Sequence, residues 1–291
     1  MKISFSGHET FVCRTFWLKK GFDFVMEGHS FSQDDAVVIL GVGKNMVTSI
    51  NFWMRGFHIL DRDQNTITDL GRYLFEGRDP FLEDMASLWL LHYSVVKNQK
   101  VFIFNSFFNE FTKERSEFTK EHLVSFMKRK TEAEELRQFS EKTYDSDAMV
   151  FLRTYLRSND GKADLEDETA NLLVELNLLN SYFKENTEGK AVQWFRVLRQ
   201  DRFDLPKAVL LYAILDRFGG ESQTITFHDL LEAPDSPGLI FSLSEKGLES
   251  QLKELSNFYH GDITFSETAG NQVLQIKNPL NKWTVLEEYY G

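Results

Sequence analysis

Residues 40–50, LGVGKNMVTSI, place two glycines just before a lysine. That spacing raises phosphate chemistry. A phosphate loop uses glycine-freed backbone N–H groups as a cradle, a lysine for the terminal phosphates, and a Ser or Thr straight after it for Mg²⁺. Here Asn45 follows Lys44, and Val38 stands where the loop's first glycine belongs. The dinucleotide fingerprint fails too, because Met46 occupies a glycine position. Other reactive groups are equally poor fits. His8, Glu9 and Cys13 lie close in sequence, but at no standard metal spacing. A capping role for GHET is the expectation. Glu83 and Asp84 sit more than two helical turns from His92, so they also read as caps. Cys13 has no evident histidine partner and reads as a small buried hydrophobe. Neither a Gly-x-Ser-x-Gly elbow nor a His-Glu-x-x-His helix occurs. The expectation is a protein without catalytic residues, cofactor or metal.

The same eleven residues serve better as a helix-turn-helix. Asp34 and Asp35 can cap a short helix over 36–40, and Gly41 can end it in the left-handed conformation. A second helix starts near Lys44, with Met46, Ile50, Trp53, Phe57 and Leu60 on one apolar stripe. Lys44, Asn45, Thr48, Asn51 and Arg55 fall largely off that stripe, and their types can reach phosphates and base edges. DRDQN then supplies a turn, and Thr66-Ile67-Thr68 is β-prone. Helix, tight turn, helix and small hairpin over about 31–78 describe a winged helix-turn-helix. Upstream, a helix over 10–20 would bury Phe11, Phe16 and Trp17, with Arg14 and Lys19 on or near its exposed side. Arg14 and Lys19 join the candidate DNA-binding residues.

Charge qualifies this reading. The 291 residues carry a formal net charge of −11, and phosphate binding is driven largely by Lys and Arg. The charge is uneven: residues 1–130 hold 17 basic against 16 acidic side chains, while 131–190 hold 7 against 14 and the rest 9 against 14. Any DNA surface therefore belongs to the N-terminal part. One cysteine excludes an intramolecular disulfide framework. No apolar run approaches the ~18 residues of a membrane span, and the start lacks a signal-peptide hydrophobic region, so a cytoplasmic protein is expected.

The order helix, helix, hairpin recurs without sequence identity. It appears again over about 146–204, with the polar turn ENTEGK, and after 205, where Ser244 can cap a helix whose stripe is Leu248, Leu252 and Leu255. The expected fold is mainly α with small β-hairpins, an α+β chain of tandem winged-helix-like units. Their expected boundaries are 1–130, an acidic 131–204 and 205–291.

FSGHETF, LGVGKNMVTSI with its following Trp53, DPFLEDMASLWLLHY and SPGLIFSL occur in this order along nearly the whole chain. In them the chain resembles the bacterial family catalogued as domain of unknown function 4007. That resemblance implies a setting of DNA sulfur modification (phosphorothioation) or antiphage defence, and no catalytic residues. Together with the helix-turn-helix, it leads to the expectation of an accessory protein binding double-stranded DNA, plain or phosphorothioated. The acidic later units would dock modification or defence proteins. The alternative is a protein–protein scaffold that touches no DNA.

Overall fold

Apolar spacing on the first helices decides how the chain begins to pack. In the computed structural model, which describes residues 4–157, 171–221, 223–268 and 270–291, α1 (Thr15–Met26) buries Trp17, Leu18, Phe22 and Phe24. Helix α2 (Ala36–Leu40) is one and a half turns long and ends at Gly41, whose φ of 61° is left-handed. Helix α3 (Lys44–Gly56) packs on both. The expected helix over 10–20 thus begins five residues later. Phe16, expected in the core, is 66% exposed, because this register turns Trp17 and Leu18 inward instead.

The chain then forms α4 (Asp69–Tyr73), which widens into a π-helical turn (Leu74–Arg78), and α5 (Met85–Lys97). Asp84 caps α5 by accepting from the Ala86 N–H at 2.7 Å. Next come α6 (Phe102–Ser106) with a second π-helical turn (Phe107–Phe111), α7 (Thr112–Glu114) and strand β1 (Glu117–Phe118). Helices α8 (Lys120–Ala133) and α9 (Glu141–Tyr155) follow. Phe104, Phe107 and Phe108 meet Phe151 and Tyr155 of α9 in a fully buried aromatic core, which Phe107 extends to Phe111. Inside it the His92 Nδ1 and Tyr155 hydroxyl lie 2.9 Å apart.

Strands β2 (Leu179–Glu185) and β3 (Ala191–Val197) form an antiparallel hairpin, and β1 joins it alongside β3. LEDETANLLVELNLLN reads in sequence as a helix over 165–180, which lies partly outside the described residues. Within them, the chain makes a short 3-10 turn (Val174–Leu176) and then enters β2.

The second compact unit is Arg199–Gly291, the first being Met1–Leu198. It runs α10 (Lys207–Phe218), β4 (Gln223–Thr226), α11 (Phe227–Glu232), α12 (Pro237–Ile240), α13 (Glu245–Phe258), β5 (Ile263–Thr268), β6 (Asn271–Ile276) and α14 (Lys282–Tyr290). The early strand β4 pairs with the later hairpin strand β6, the arrangement that β1 makes with β3.

The described chain is mainly α, about 53% helical, with small antiparallel hairpins. It divides into two units where the sequence suggested three, and the expected boundary at 130–131 falls inside the first. Three contacts account for this. Thr131 Oγ1 and the Tyr144 hydroxyl meet at 2.8 Å between α8 and α9, so residues 131–145, which read in sequence as an exposed helix or linker, tie these two helices together. Asp147 on α9 accepts from the Ser6 N–H at 3.0 Å. Strand β1, from the expected first unit, completes the sheet of the expected second.

Candidate nucleic-acid interface

Helix α3 presents a narrow polar stripe. Lys44, Asn45 and Thr48 are exposed and Asn51 and Arg55 half-buried, while Val47, Ile50, Trp53 and Met54 are buried. Of the apolar stripe foreseen in the sequence, Ile50, Trp53, Phe57 and Leu60 are buried and Met46 is half-buried. Gly43 is the N-cap, in extended conformation, and supplies no side-chain hydrogen bond. The first turn therefore points backbone N–H groups and the positive end of its dipole toward solvent, beside Lys44. Lys44 makes no ion pair among the described residues.

Arg55 is arranged quite differently. Its Nε donates to Asn51 Oδ1 at 2.9 Å, and Nη1 donates to the carbonyls of Asp61 and Arg62 at 3.0 and 2.8 Å. Nη2 donates to Asn65 Oδ1. Burial, then the nearby Arg62 charge, lowers its pKa from the ordinary value. The guanidinium fork grips the turn between two very short extended segments, which meet at the Leu60–Ile67 bridge and through the Asp61 N–H to Thr66 carbonyl and Thr68 N–H to Ile59 carbonyl bonds. Asp61 organises the same turn by accepting from the Gln64 and Asp63 N–H groups at 2.7 and 2.9 Å, bonds that also lower its carboxyl pKa. The expectation that Arg55 faces DNA must be restated: its donors, and Asn51's oxygen, are committed to holding the hairpin on the helix.

The other two candidates are also engaged. Lys19 forms an ion pair with Asp23 one turn along α1, at 2.5 Å. Arg14 is half-buried, with its guanidinium over the Trp17 ring at 5.7 Å. The structure brings Lys44, Asn45 and Thr48 together at the start of α3, and gives Arg14, Lys19 and Arg55 internal partners.

Beneath α3 lies the FSGHETF segment. Ser6, Glu9 and Thr10 all have positive φ, at 57°, 48° and 69°, which costs each of them free energy. The Trp53 indole N–H donates to the Phe11 carbonyl at 3.1 Å. His8 is buried beside the rings of Phe52 and Trp53, and its Nδ1 accepts from the Thr10 N–H at 3.2 Å. That leaves the proton on Nε2, which faces Asp147 Oδ1 at 3.2 Å. GHET is thus internally bonded through His8, and α1 starts at Arg14 without a side-chain cap. Cys13 is buried, and burial alone raises its thiol pKa well above the usual value, keeping the nucleophilic thiolate scarce.

Sequence reasoning missed Asn65 and the two carbonyls that receive Arg55. The signal was the DRDQN turn itself, which marked a hairpin but not what would hold it.

The model of the protein family of unknown function DUF4007 matches residues 5–290. Among solved structures, the magnesium-ion-bound crystal structure of SspB superimposes with a TM-score of 0.81 at 27% identity, covering 99% of this chain and 88% of that one. A second SspB crystal structure gives 0.81 at 26% identity with the same coverage. No curated protein matches the chain. No helix among the described residues is long and apolar enough to cross a membrane.

Proposed function

The chain belongs to the DUF4007 family, and from that premise we propose that it is a DNA-binding accessory protein of a phosphorothioation-linked system. The reading is supported by its likeness to SspB and by one local observation. Lys44, Asn45 and Thr48 stand exposed around the uncapped start of α3, next to a hairpin fixed in place by Arg55. An anion fits that end of a helix, and Lys, Asn and Thr are suited to phosphate and base-edge contacts. In this reading the 31–78 segment is a winged helix-turn-helix, and the partner is double-stranded DNA, plain or phosphorothioated. Few phosphates are engaged, so affinity is modest and its salt slope shallow, at roughly −0.9 per phosphate neutralised.

Binding without chemistry is part of the proposal. The described residues hold no group of three or more His, Cys, Asp or Glu side chains fit to cage a metal.

Titrating labelled duplexes, plain and phosphorothioated, against wild type, Lys44→Glu and Gly43→Asp tests the interface. Both variants place negative charge at the start of α3, and both should bind more weakly with thermal midpoints close to wild type. Identical curves for all three proteins would remove this helix from the DNA surface. Absence of any duplex binding at low salt would favour the scaffold alternative. Closed circular plasmid incubated with protein and Mg²⁺ should stay closed; nicking would overturn the non-catalytic part.

A further inference from the structure

Apolar exposure is concentrated on α1 and α2. Phe16, Met26, Val37, Val38 and Ile39 account for five of the eleven exposed large apolar side chains among the described residues, and Val38 is 79% exposed. Scattered exposed apolar residues need no explanation, but a cluster on adjacent elements does. Between the two helices runs an open groove of about 330 Å³, walled by Phe16 and Ile39 and floored by Phe24 and Leu40. Its size suits one large apolar side chain. Phe24 and Leu40 belong to a small core with Ala36 and Val47, so the floor is fixed by packing.

The surrounding charges say what flanks that side chain. Lys19 closes on Asp23, whereas Lys20 donates to the neutral Leu40 carbonyl at 3.0 Å and keeps its charge. Glu27, whose contact with His29 is a loose 3.8 Å, also lines the groove, and exposed Asp34 and Asp35 precede α2. Asp35, although the N-cap of α2, makes no side-chain capping bond. Over residues 15–40 the four carboxylates Asp23, Glu27, Asp34 and Asp35 outnumber Lys19 and Lys20, so the net charge of this helix pair is negative. Phosphate would be repelled here and would gain nothing from Val37, Val38 and Ile39.

We propose that the α1–α2 groove is a protein-docking site for an amphipathic helix of another protein, one that inserts an aromatic or large aliphatic anchor and flanks it with Lys or Arg. This is the helix-in-groove mode of recognition, with a central apolar anchor and a polar rim. The site is separate from the polar stripe of α3, and it places protein docking on the N-terminal unit rather than only on the acidic later segments.

The test uses the full chain, immobilised, and a displayed library of amphipathic helical peptides of random composition. Wild type should enrich peptides with Phe, Trp, Leu or Met one helical turn apart and Lys or Arg beside them. The best peptide, titrated in solution, should bind Val38→Glu and Ile39→Glu roughly tenfold more weakly or worse, and Glu27→Lys several-fold more weakly. These side chains are exposed, and unchanged thermal midpoints and duplex titrations confirm that the variants fold. No enrichment over the bare support overturns the proposal, as do peptides that bind Val38→Glu as well as wild type. Enrichment of acidic peptides overturns its charge assignment. Loss of duplex binding by Lys44→Glu with peptide binding intact separates this site from the DNA surface.

Discussion

Helix α3 with its hairpin and helix α13 with its hairpin solve one architectural problem by different means. After α13, strands β5 and β6 pair from Ile263–Ile276 to Thr268–Asn271, and β4 adds a third strand. After α3, one bridge and the Asp61 and Thr68 backbone bonds remain, and the Arg55 guanidinium grips the turn between them. The helix starts differ as well. Ser244 caps α13 by accepting from the Gly247 N–H at 2.9 Å, and the surface charges Lys253 and Lys207 close on Glu249 and Glu254. The start of α3 has glycine for a cap and an unmatched lysine. One helix–hairpin pair is closed on itself; the other leaves its helix start open and depends on one side chain to grip its turn. An open end is what an anion-binding surface needs, and dependence on a side chain makes it easy to disable.

The largest test of this contrast is the core beneath each helix. Trp53 is 0% exposed and stacks on Phe57, so Trp53→Ala should cost about 3–5 kcal/mol. Leu252→Ala under α13 should cost about 2–5 kcal/mol. Urea unfolding measures both, and a cost under 1 kcal/mol at Trp53 would show that α3 is not anchored through it. Arg55→Ala comes next, at about 1–3 kcal/mol for its lost hydrogen bonds. Hydrogen exchange at the Asp61 and Thr68 amides should accelerate while the β5–β6 amides stay as protected as before. Equal protection in the first hairpin would mean that the arginine does not hold it. Charge reversal at Arg55 should thus lower the thermal midpoint, unlike reversal at Lys44.

Smaller effects lie at the helix starts. Ser244→Ala should cost about 1 kcal/mol, whereas Gly43→Ser should gain a few tenths, since a Cβ at Gly43 meets nothing within 4 Å. Calorimetry on the pair would break the contrast if both changed stability in the same direction. The smallest effect concerns β1. Lys184 first, then the nearby Tyr182 hydroxyl and Arg196, hold the Glu117 carboxyl down to about 2. A carboxyl depressed on folding stabilises the protein above its ordinary value near 4.5. That contribution is lost as pH falls toward 2. The group is half-buried and still reached by solvent, so the effect is slight. Glu117→Gln should remove the stability change between pH 4.5 and 2 that this carboxyl causes. An unchanged acid profile would count against the link.

The elements that carried strong local signals were legible in the sequence. Gly41 marked the left-handed end of α2, Ser244 marked a cap, and Leu248, Leu252 and Leu255 marked a buried stripe. The polar side of α3 was readable for the same reason: a helix period is a short-range property. What escaped depended on distant partners. Phe16 carries an apolar side chain, and only the register of α1 against α3 turns it outward. Arg55 has the chemistry of a DNA contact, and only the position of the 61–65 turn claims its donors. β1 is two residues long, so its pairing with β3 left no pattern to read. The boundary expected at 130–131 followed a real change in charge, but solvated charge does not prevent Tyr144 and Thr131 from packing beneath it.

The bond between Ser6 and Asp147 spans 141 positions of sequence. Considered as an event in time, it orders the birth of the protein. A ribosome adding about 5–20 residues per second would take roughly 7–30 s to reach Asp147 after passing Ser6. Through that interval His8 has no carboxylate to face, and nothing from α9 secures the left-handed residues around it. Helices α1 to α3 can form from local signals in the meantime. The segment that threads beneath them is fastened only afterwards, so residues made before these helices are fixed after them.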